Sequence, residues 1–371
     1  MEASKKTQTE ARPTISSVSP VLRWEVFVTP GIPIRTADRP AGLTETFFQA
    51  MASTLIYGEM DAVLVDTFMT AKQANDLADW VEAKGKNLTT IYITHGHGDH
   101  WFGAGTLLER FPKARLVTTP NSVEVMKVNA SPKVLDGAWK AGFPGQIPDN
   151  LVIADALNGN VIALEGKEMV VVELGHTDTD YTTCIHVPSI GLVVAGDAVY
   201  NDVHLYLAES NEQTRQEWIA ALDKIEALKP RAVVASHKRP ENEDDPKIIE
   251  ETRKYIRDFD RLVKSTSTAQ ELYDKMLGAL SESRQSRLGS LGFSARIQVV
   301  SLRERLGGMG WSGTSIRGTG NHRDLTIARI SRFSKTTPPP SAASRTATST
   351  MARARSSAGI TWLGNSTRNT G

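Results

Sequence analysis

Six consecutive positions, His95-Gly96-His97-Gly98-Asp99-His100, place three imidazoles and a carboxylate in a turn containing two glycines. Imidazole nitrogen and carboxylate oxygen are good ligands for zinc and similar divalent ions, and glycine lets a chain turn tightly enough to aim several side chains at one point. More than one ion needs more donors than these four. They recur just past apolar runs: His176 after residues 169–174, Asp197 after 192–195 through Gly196, and His237 after 232–235. Ligand-type residues at the ends of apolar strands gather at a sheet edge rather than in a core. Five of the 8 histidines fall in this ordered pattern, whereas His186 and His322 read as ordinary hydrogen-bonded histidines.

The ordered set, His95-x-His97-x-Asp99-His100, then His176 in Gly-His-Thr, Asp197 in Gly-Asp and His237 in Ser-His, resembles the metallo-β-lactamase superfamily over roughly residues 23–265. The resemblance implies an α+β fold, a four-layer αββα sandwich with the metals at one edge. It implies two divalent ions, zinc by expectation: His95, His97 and His176 on one, Asp99, His100 and His237 on the other, and Asp197 bridging them. Asp66, at the end of an apolar strand, resembles the family's aspartate that holds the metal loop from behind, although Thr67-Phe68-Met69 follows it where relatives often carry a glycine nearby.

The elements that must position these residues are legible in the pattern. Residues 23–29 alternate as a first strand, and 51–57 with 62–65 read as paired strands around 58–61. Thr70 with Gln73 is a capping-box signature ahead of the stripe Ala74, Leu77, Val81, which closes at Gly85. Residues 90–93 read as the buried strand before the metal turn, and 101–111 as the helix after it. A strand at 115–119 and a helix at about 121–129 follow. Residues 131–150, with Trp139, Phe143 and three prolines, read either as a flap over the substrate or as a helical excursion on the outer layer. Hairpins at 161–174 and 181–195 each end on a ligand. Ser210 with Gln213 reads as a second capping box before the helix carrying Trp218, Leu222, Ile225 and Leu228, and 246–264 reads as a long charged helix. Gly103-Ala104-Gly105 lacks the third glycine and the position that a nucleotide-binding turn requires.

Composition bounds the rest. The chain has 371 residues, 40% of them hydrophobic, which suits a globular enzyme. Residues 1–22 are polar and read as a disordered leader, with Lys5 and Lys6 but no apolar stretch behind them, and no run of eighteen apolar residues occurs. The single Cys184 excludes an internal disulfide framework and fits a reducing compartment, so a cytoplasmic location is expected. Residues 301–371 hold 11 of the 43 basic and 2 of the 42 acidic residues, leaving 32 basic and 40 acidic in the first 300. A mildly acidic catalytic part does not attract a polyanion, so no nucleic-acid partner and no membrane are expected. The expected domains are therefore the leader, a catalytic domain over 23–280, and a basic, Ser/Thr/Arg/Pro-rich tail over 281–371 expected to be disordered.

Two divalent ions in such a site lower the pKa of a shared water and supply hydroxide near neutral pH. By the same resemblance Asp99 would orient that nucleophile and pass its proton to the leaving group. Tyr200, three residues beyond Asp197, is the candidate donor to a developing oxyanion, with Tyr181 and His204 behind it. Phe68, Met69, Trp101 and Phe102 read as an apolar wall for a small substrate or as core. The expected activity is hydrolysis of a small cyclic amide or ester, a lactam or lactone such as a xenobiotic or plant-defence compound. Two other readings stand beside it: a thioesterase of the glyoxalase II kind, and a non-catalytic binding protein on the same fold. A mononuclear iron persulfide dioxygenase would not need Asp99, His100 and His237 as ligands.

Overall fold

In the computed structural model, side-chain alternation along the strands divides the protein into layers. The structure describes residues 21–36, 41 and 44–279, all within the first of the two units into which the chain divides, Met1–Gly320. The first sheet runs Arg23–Thr29, Met51–Tyr57, Asp61–Val65, Asn87–Tyr92, Arg115–Thr118, Asp155–Ala156. The first three strands pair antiparallel, and the remaining steps are parallel. The second sheet runs Ala232–Val234, Leu192–Val194, Thr182–Val187, Lys167–Gly175, Val161–Leu164, with a parallel step only at the Ala232–Val234 edge.

Because successive strand side chains face opposite sides, each sheet has two buried faces. Ile56, Val63, Val65, Tyr92 and Val117 of the first sheet meet Leu164, Met169, Val171, Ile185 and Val194 of the second between the sheets. Their neighbours Leu55, Leu64, Ile91 and Leu116 point the other way, against Ala74, Leu77 and Val81 of the helix Ala71–Glu82 and Leu107 of Ala104–Arg110. On the far side of the second sheet, Leu174, Cys184, Val193 and Val233 pack on Trp218 and Leu222 of Glu212–Ala227, Ile256 and Phe259 of Ile248–Val263, and Leu272 of Ala269–Ala279. The result is the expected α+β, helix–sheet–sheet–helix sandwich.

Local details agree with the residue pattern in some places and amend it in others. The Thr70–Gln73 capping box is present in full. The second box sits one residue later than expected: Asn211 is the cap, its side chain accepting from the backbone N–H of Gln213 and Thr214, while the Ser210 hydroxyl donates to the Leu207 carbonyl. The helix expected over 101–111 is two short helices, Gly98–Trp101 and Ala104–Arg110. The break comes where the Gly103 N–H turns to the Phe68 carbonyl at 2.7 Å. Leu22, assigned to the leader, is buried between the sheets. Residues 1–20 of the leader, the tail at 281–371 and His322 lie outside the described residues. Residues 131–150 are largely helical, with Pro132–Val134, a π-helical turn Leu135–Trp139 and Lys140–Gly142, and Phe143 is buried against the outer core. Phe68, Met69, Trp101 and Phe102 are core residues. Cys184 is a buried free thiol that burial pushes up to about 12. Among the described residues no helix is long and apolar enough to cross a membrane.

Strand direction is what places the site. Asp61–Val65 and Asn87–Tyr92 run parallel, so both end at one edge of the first sheet. In the second sheet Lys167–Gly175, Leu192–Val194 and Ala232–Val234 share one direction. The two edges meet where the Thr183 N–H donates to the Thr94 carbonyl at 3.1 Å and Ala52 donates to Ser236 at 2.7 Å. Gly196 marks how closely they approach: its φ is +58°, and a Cβ there would lie 2.8 Å from Thr94 Oγ1 and 3.0 Å from Thr94 Cβ. Gly196→Ala is therefore expected to lower stability by about 2 kcal/mol, from left-handed strain plus the collision. An unchanged urea unfolding midpoint would refute this account of the junction.

Candidate metal centre

Each strand end delivers its residues to one buried cluster. Asp66 follows Asp61–Val65, residues 95–100 follow Asn87–Tyr92, His176 and Asp178 follow Lys167–Gly175, Asp197 follows Leu192–Val194, and His237 opens the short strand His237–Lys238 just after Ala232–Val234. Three groups of donors have ligand atoms within 4.8 Å of one another: His95, His97 and Asp178; His95, His100 and Asp197; Asp99, His100 and His237. They overlap at His95 and His100. Seven residues thus form one continuous cluster, and every one is buried.

The histidines share a polarity. Each offers one ring nitrogen to an acceptor of the protein, which sets the tautomer and leaves the other nitrogen's lone pair for a cation. His100 Nδ1 lies 2.9 Å from Asp66 Oδ2, His237 Nδ1 3.1 Å from the Ala50 carbonyl, and His97 Nε2 3.0 Å from Glu209 Oε1. His95 Nδ1 is 3.1 Å from Thr94 Oγ1, and His176 Nδ1 is 2.7 Å from Asp180 Oδ1. On the inward side, His95 Nε2, His100 Nε2, His176 Nε2, Asp178 Oδ2 and Asp197 Oδ1 are buried and make no hydrogen bond among the described residues. Leaving such groups unpaired is costly. Imidazole and carboxylate donors facing one another without hydrogen bonds are the donor set a divalent cation requires, so the residues fit the metal that the sequence pattern implies.

Electrostatics agree. Burial disfavours the Asp99 carboxylate, but His100 and His237 outweigh it and hold Asp99 well below the ordinary range. Asp197 is lowered by the same two imidazoles against its own burial, and Asp178 by His95 and His97. Conversely, burial pushes His237 down while Asp197 and Asp99 pull it up, to about 10. His97 and His100 also rise, through Glu209 and Asp178 for the first and through Asp99, Asp197 and Asp66 for the second. In the absence of a cation, protons on these imidazoles balance the carboxylates.

Of the residues singled out in the sequence, His95, His97, Asp99, His100, Asp197 and His237 are brought together. His176 is adjacent, its Nε2 buried, but it stands outside all three groups. Tyr200 is fully buried; its hydroxyl donates to Asp197 Oδ2 at 2.9 Å and its ring stacks on His237, centroids 5.4 Å apart. That proton is committed to Asp197, so oxyanion donation would first require Tyr200 to leave it. His204 faces Tyr255 of the helix Ile248–Val263, and Tyr181 is partly exposed. Asp178 and Glu209 were not singled out. Asp178 had a signal, a carboxylate two residues beyond a ligand-type histidine; Glu209, 112 residues from His97, had none.

A profile of the metallo-beta-lactamase superfamily matches residues 50–237, just over half of the chain and the span that holds every donor described above. The chain belongs to this superfamily. Among solved structures, a metallo-beta-lactamase family protein from Thermus thermophilus is similar at 17% identity, covering 78% of this chain and 96% of its own, with a TM-score of 0.51. A metallo-beta-lactamase from Pontibacter korlensis is similar at 16% identity, covering 63% and 99%, with a TM-score of 0.46. At 17% identity the first of these likenesses is one of fold. A search of curated proteins returned no match. The superfamily's metal dependence agrees with the donor cluster.

Two outcomes follow for this donor cluster. Asp66→Ala removes the acceptor that orients His100, and is expected to weaken divalent-metal affinity by about 10- to 100-fold, the usual cost of losing such a partner. Chelator competition measures it, and unaltered affinity would exclude the role. In metal-free protein the raised His237 contributes stability that is complete below its unfolded value near 6.5 and is lost as pH climbs through about 10. Denaturation in a chelator should therefore show falling stability from pH 6.5 to 10; a flat or rising curve contradicts the charge balance described here.

Proposed function

We propose that this chain is a metal-dependent hydrolase that opens a small cyclic amide or ester, holding two divalent ions, zinc among them, at the ends of its strands. The observation that carries the reading is the overlap of the three donor groups at His95 and His100 with Asp197 between them, which suits two adjacent cations better than one. Bound there, the ions would supply Lewis acidity and hydroxide at neutral pH.

The remaining steps belong to the chain's own residues. Asp66 and the Ala50 carbonyl hold His100 and His237 by their Nδ1 atoms, so their donor nitrogens do not reorganise during turnover. Tyr200 holds Asp197 in the same sense. To Asp99, its Oδ2 3.5 Å from His100 Nε2 and 3.4 Å from His237 Nε2, we assign the orientation of the attacking water and the transfer of its proton to the departing amide nitrogen or alkoxide. Phe48 lies 5.9 Å from the His237 ring and packs on Trp139 and Phe143 of the segment 131–150. This aromatic group supplies an apolar wall next to the donors, and supports a small, partly apolar substrate.

The thioesterase alternative rests on the Thr94-to-His100 loop and gains nothing from the helices after His237. Ile248–Val263 and Ala269–Ala279 pack with Trp218 onto the second sheet as the sandwich's own outer layer, rather than forming a separate helical domain among the described residues. Metal analysis with a panel of lactams, lactones and thioesters tests the proposal. About two ions per chain and ring opening of a lactam or lactone is the expected result. Turnover confined to glutathione thioesters selects the alternative, and no metal uptake rejects both.

A further inference from the structure

Asp178 is fully buried, lies on the loop after Lys167–Gly175, and has no part in the reaction proposed above. Its two oxygens differ. Oδ1 accepts a hydrogen bond from Thr177 Oγ1 at 2.8 Å, which fixes the carboxylate's rotation. Oδ2 is turned into the cluster, 2.9 Å from His97 Nδ1 and 3.4 Å from His95 Nε2, yet makes no hydrogen bond of acceptable geometry. Donors about 2.0–2.2 Å from a shared divalent ion must themselves lie about 3–3.5 Å apart. The two nitrogens it faces are the inward ones, their rings held from outside by Glu209 and Thr94.

We propose that Asp178 is a direct ligand of the ion held by His95 and His97, an inference that rests on the metal-hydrolase reading. Its carboxylate alters the chemistry of that position. With Asp197 shared, the ion at His95 and His97 meets two carboxylates beside its imidazoles, as does the ion at Asp99, His100 and His237. A site of this kind carries more negative charge and harder donors than one built from three imidazoles, so it accepts Mn2+ more readily relative to Zn2+. Glu209 extends the arrangement outward: it takes His97 Nε2 at 3.0 Å and accepts from Thr179 Oγ1 at 2.7 Å, tying the loop that carries Asp178 to the ring Asp178 faces.

The alternative is that Asp178 only faces the His95 and His97 rings without touching the ion. The two roles differ in what the ion's coordination shows. Losing a ligand changes that ion's occupancy and spectrum; losing a neighbour leaves both as they were. The test uses the full chain and Asp178→Asn, with Asp178→Ala as a second variant in case the amide itself ligates. Stoichiometry is read by elemental analysis, affinity by chelator competition with Zn2+ and Mn2+, and coordination by the visible spectrum of the Co2+-loaded protein. Thermal melting of the metal-free forms establishes that each variant folds. The expected result is one ion lost or weakened more than 100-fold, a greater loss for Mn2+ than for Zn2+, and an altered band for that Co2+ ion only. Two ions at unchanged or tighter affinity, with an unchanged Co2+ spectrum, would overturn the assignment while leaving the hydrolase reading intact. Failure of the unsubstituted chain to bind any divalent ion would overturn that reading and the assignment together.

Discussion

One buried carboxylate, Asp66, holds the site in register. Its Oδ1 accepts from the Thr94 N–H at 2.8 Å, Oδ2 accepts from Ser236 Oγ at 3.0 Å and meets His100 Nδ1 at 2.9 Å, and Thr94 Oγ1 reaches both oxygens. Two chain segments, those following Asn87–Tyr92 and Ala232–Val234, thus share one acceptor that itself ends a third strand. Thr94 Oγ1 is also the partner of His95 Nδ1, so two of the cluster's imidazoles take their orientation from Asp66, one directly and one through a hydroxyl. The residue adopts a left-handed backbone, φ +61°, a conformation that aspartate visits more readily than most residues because its short side chain can bond locally. A sharp turn at the end of a buried strand sends the carboxylate back under the metal loop.

That constraint explains why the donors need so little local order of their own. Residues 95–100 are a turn and one short helix, and Asp197 lies in a single 3-10 turn. Neither could hold a catalytic geometry alone. They are fixed instead by the junction of two sheets: the parallel pairing of Tyr200 with His237 lays the tyrosine ring on the imidazole, and Ala50, just ahead of the strand Met51–Tyr57, takes the proton of His237 Nδ1. The rigid parts are the sandwich layers, and the chemistry sits on their shared rim.

The parts legible in the amino-acid sequence are those whose physics is local. His95 to His100 could be read because contiguous donors with glycines have few other uses, and the Thr70 capping box because its partners are three residues apart. The hydrophobic alternation that separates Ile56, Val63 and Val65 from Leu55 and Leu64 carried the strands. What escaped depends on contacts distant in sequence or on a choice between neighbours. Asn211 and Ser210 are both good caps, and only the approach of the chain decides between them. The helix Ala269–Ala279 escaped although Thr268 with Glu271 has capping spacing, the Glu271 N–H donating to Thr268 Oγ1 at 3.1 Å; what seats the helix, Tyr273 and Met276 against the core on the second sheet, is not local. Glu209 reaches His97 from a loop over a hundred residues away. The missing glycine after Asp66 looked like a departure from the family pattern, yet a left-handed aspartate followed by Phe68 at φ +126° makes the turn without it.

The charge arrangement carries a consequence for how such a centre is assembled. Asp99, Asp178 and Asp197 are buried together, and three carboxylates removed from water repel one another unless cations stand between them. In the protein alone that cation is the proton, held on His97, His100 and His237 by the same carboxylates it neutralises. A divalent ion entering the cluster must displace those protons, because an imidazolium has no lone pair to give. Apo and loaded states are then two ways of satisfying one electrostatic requirement. The fold need not rearrange its layers to pass from one to the other, since the outward ring nitrogens keep their acceptors in both. The histidines that face these carboxylates are raised by them, so each side of the cluster is the other's counter-charge.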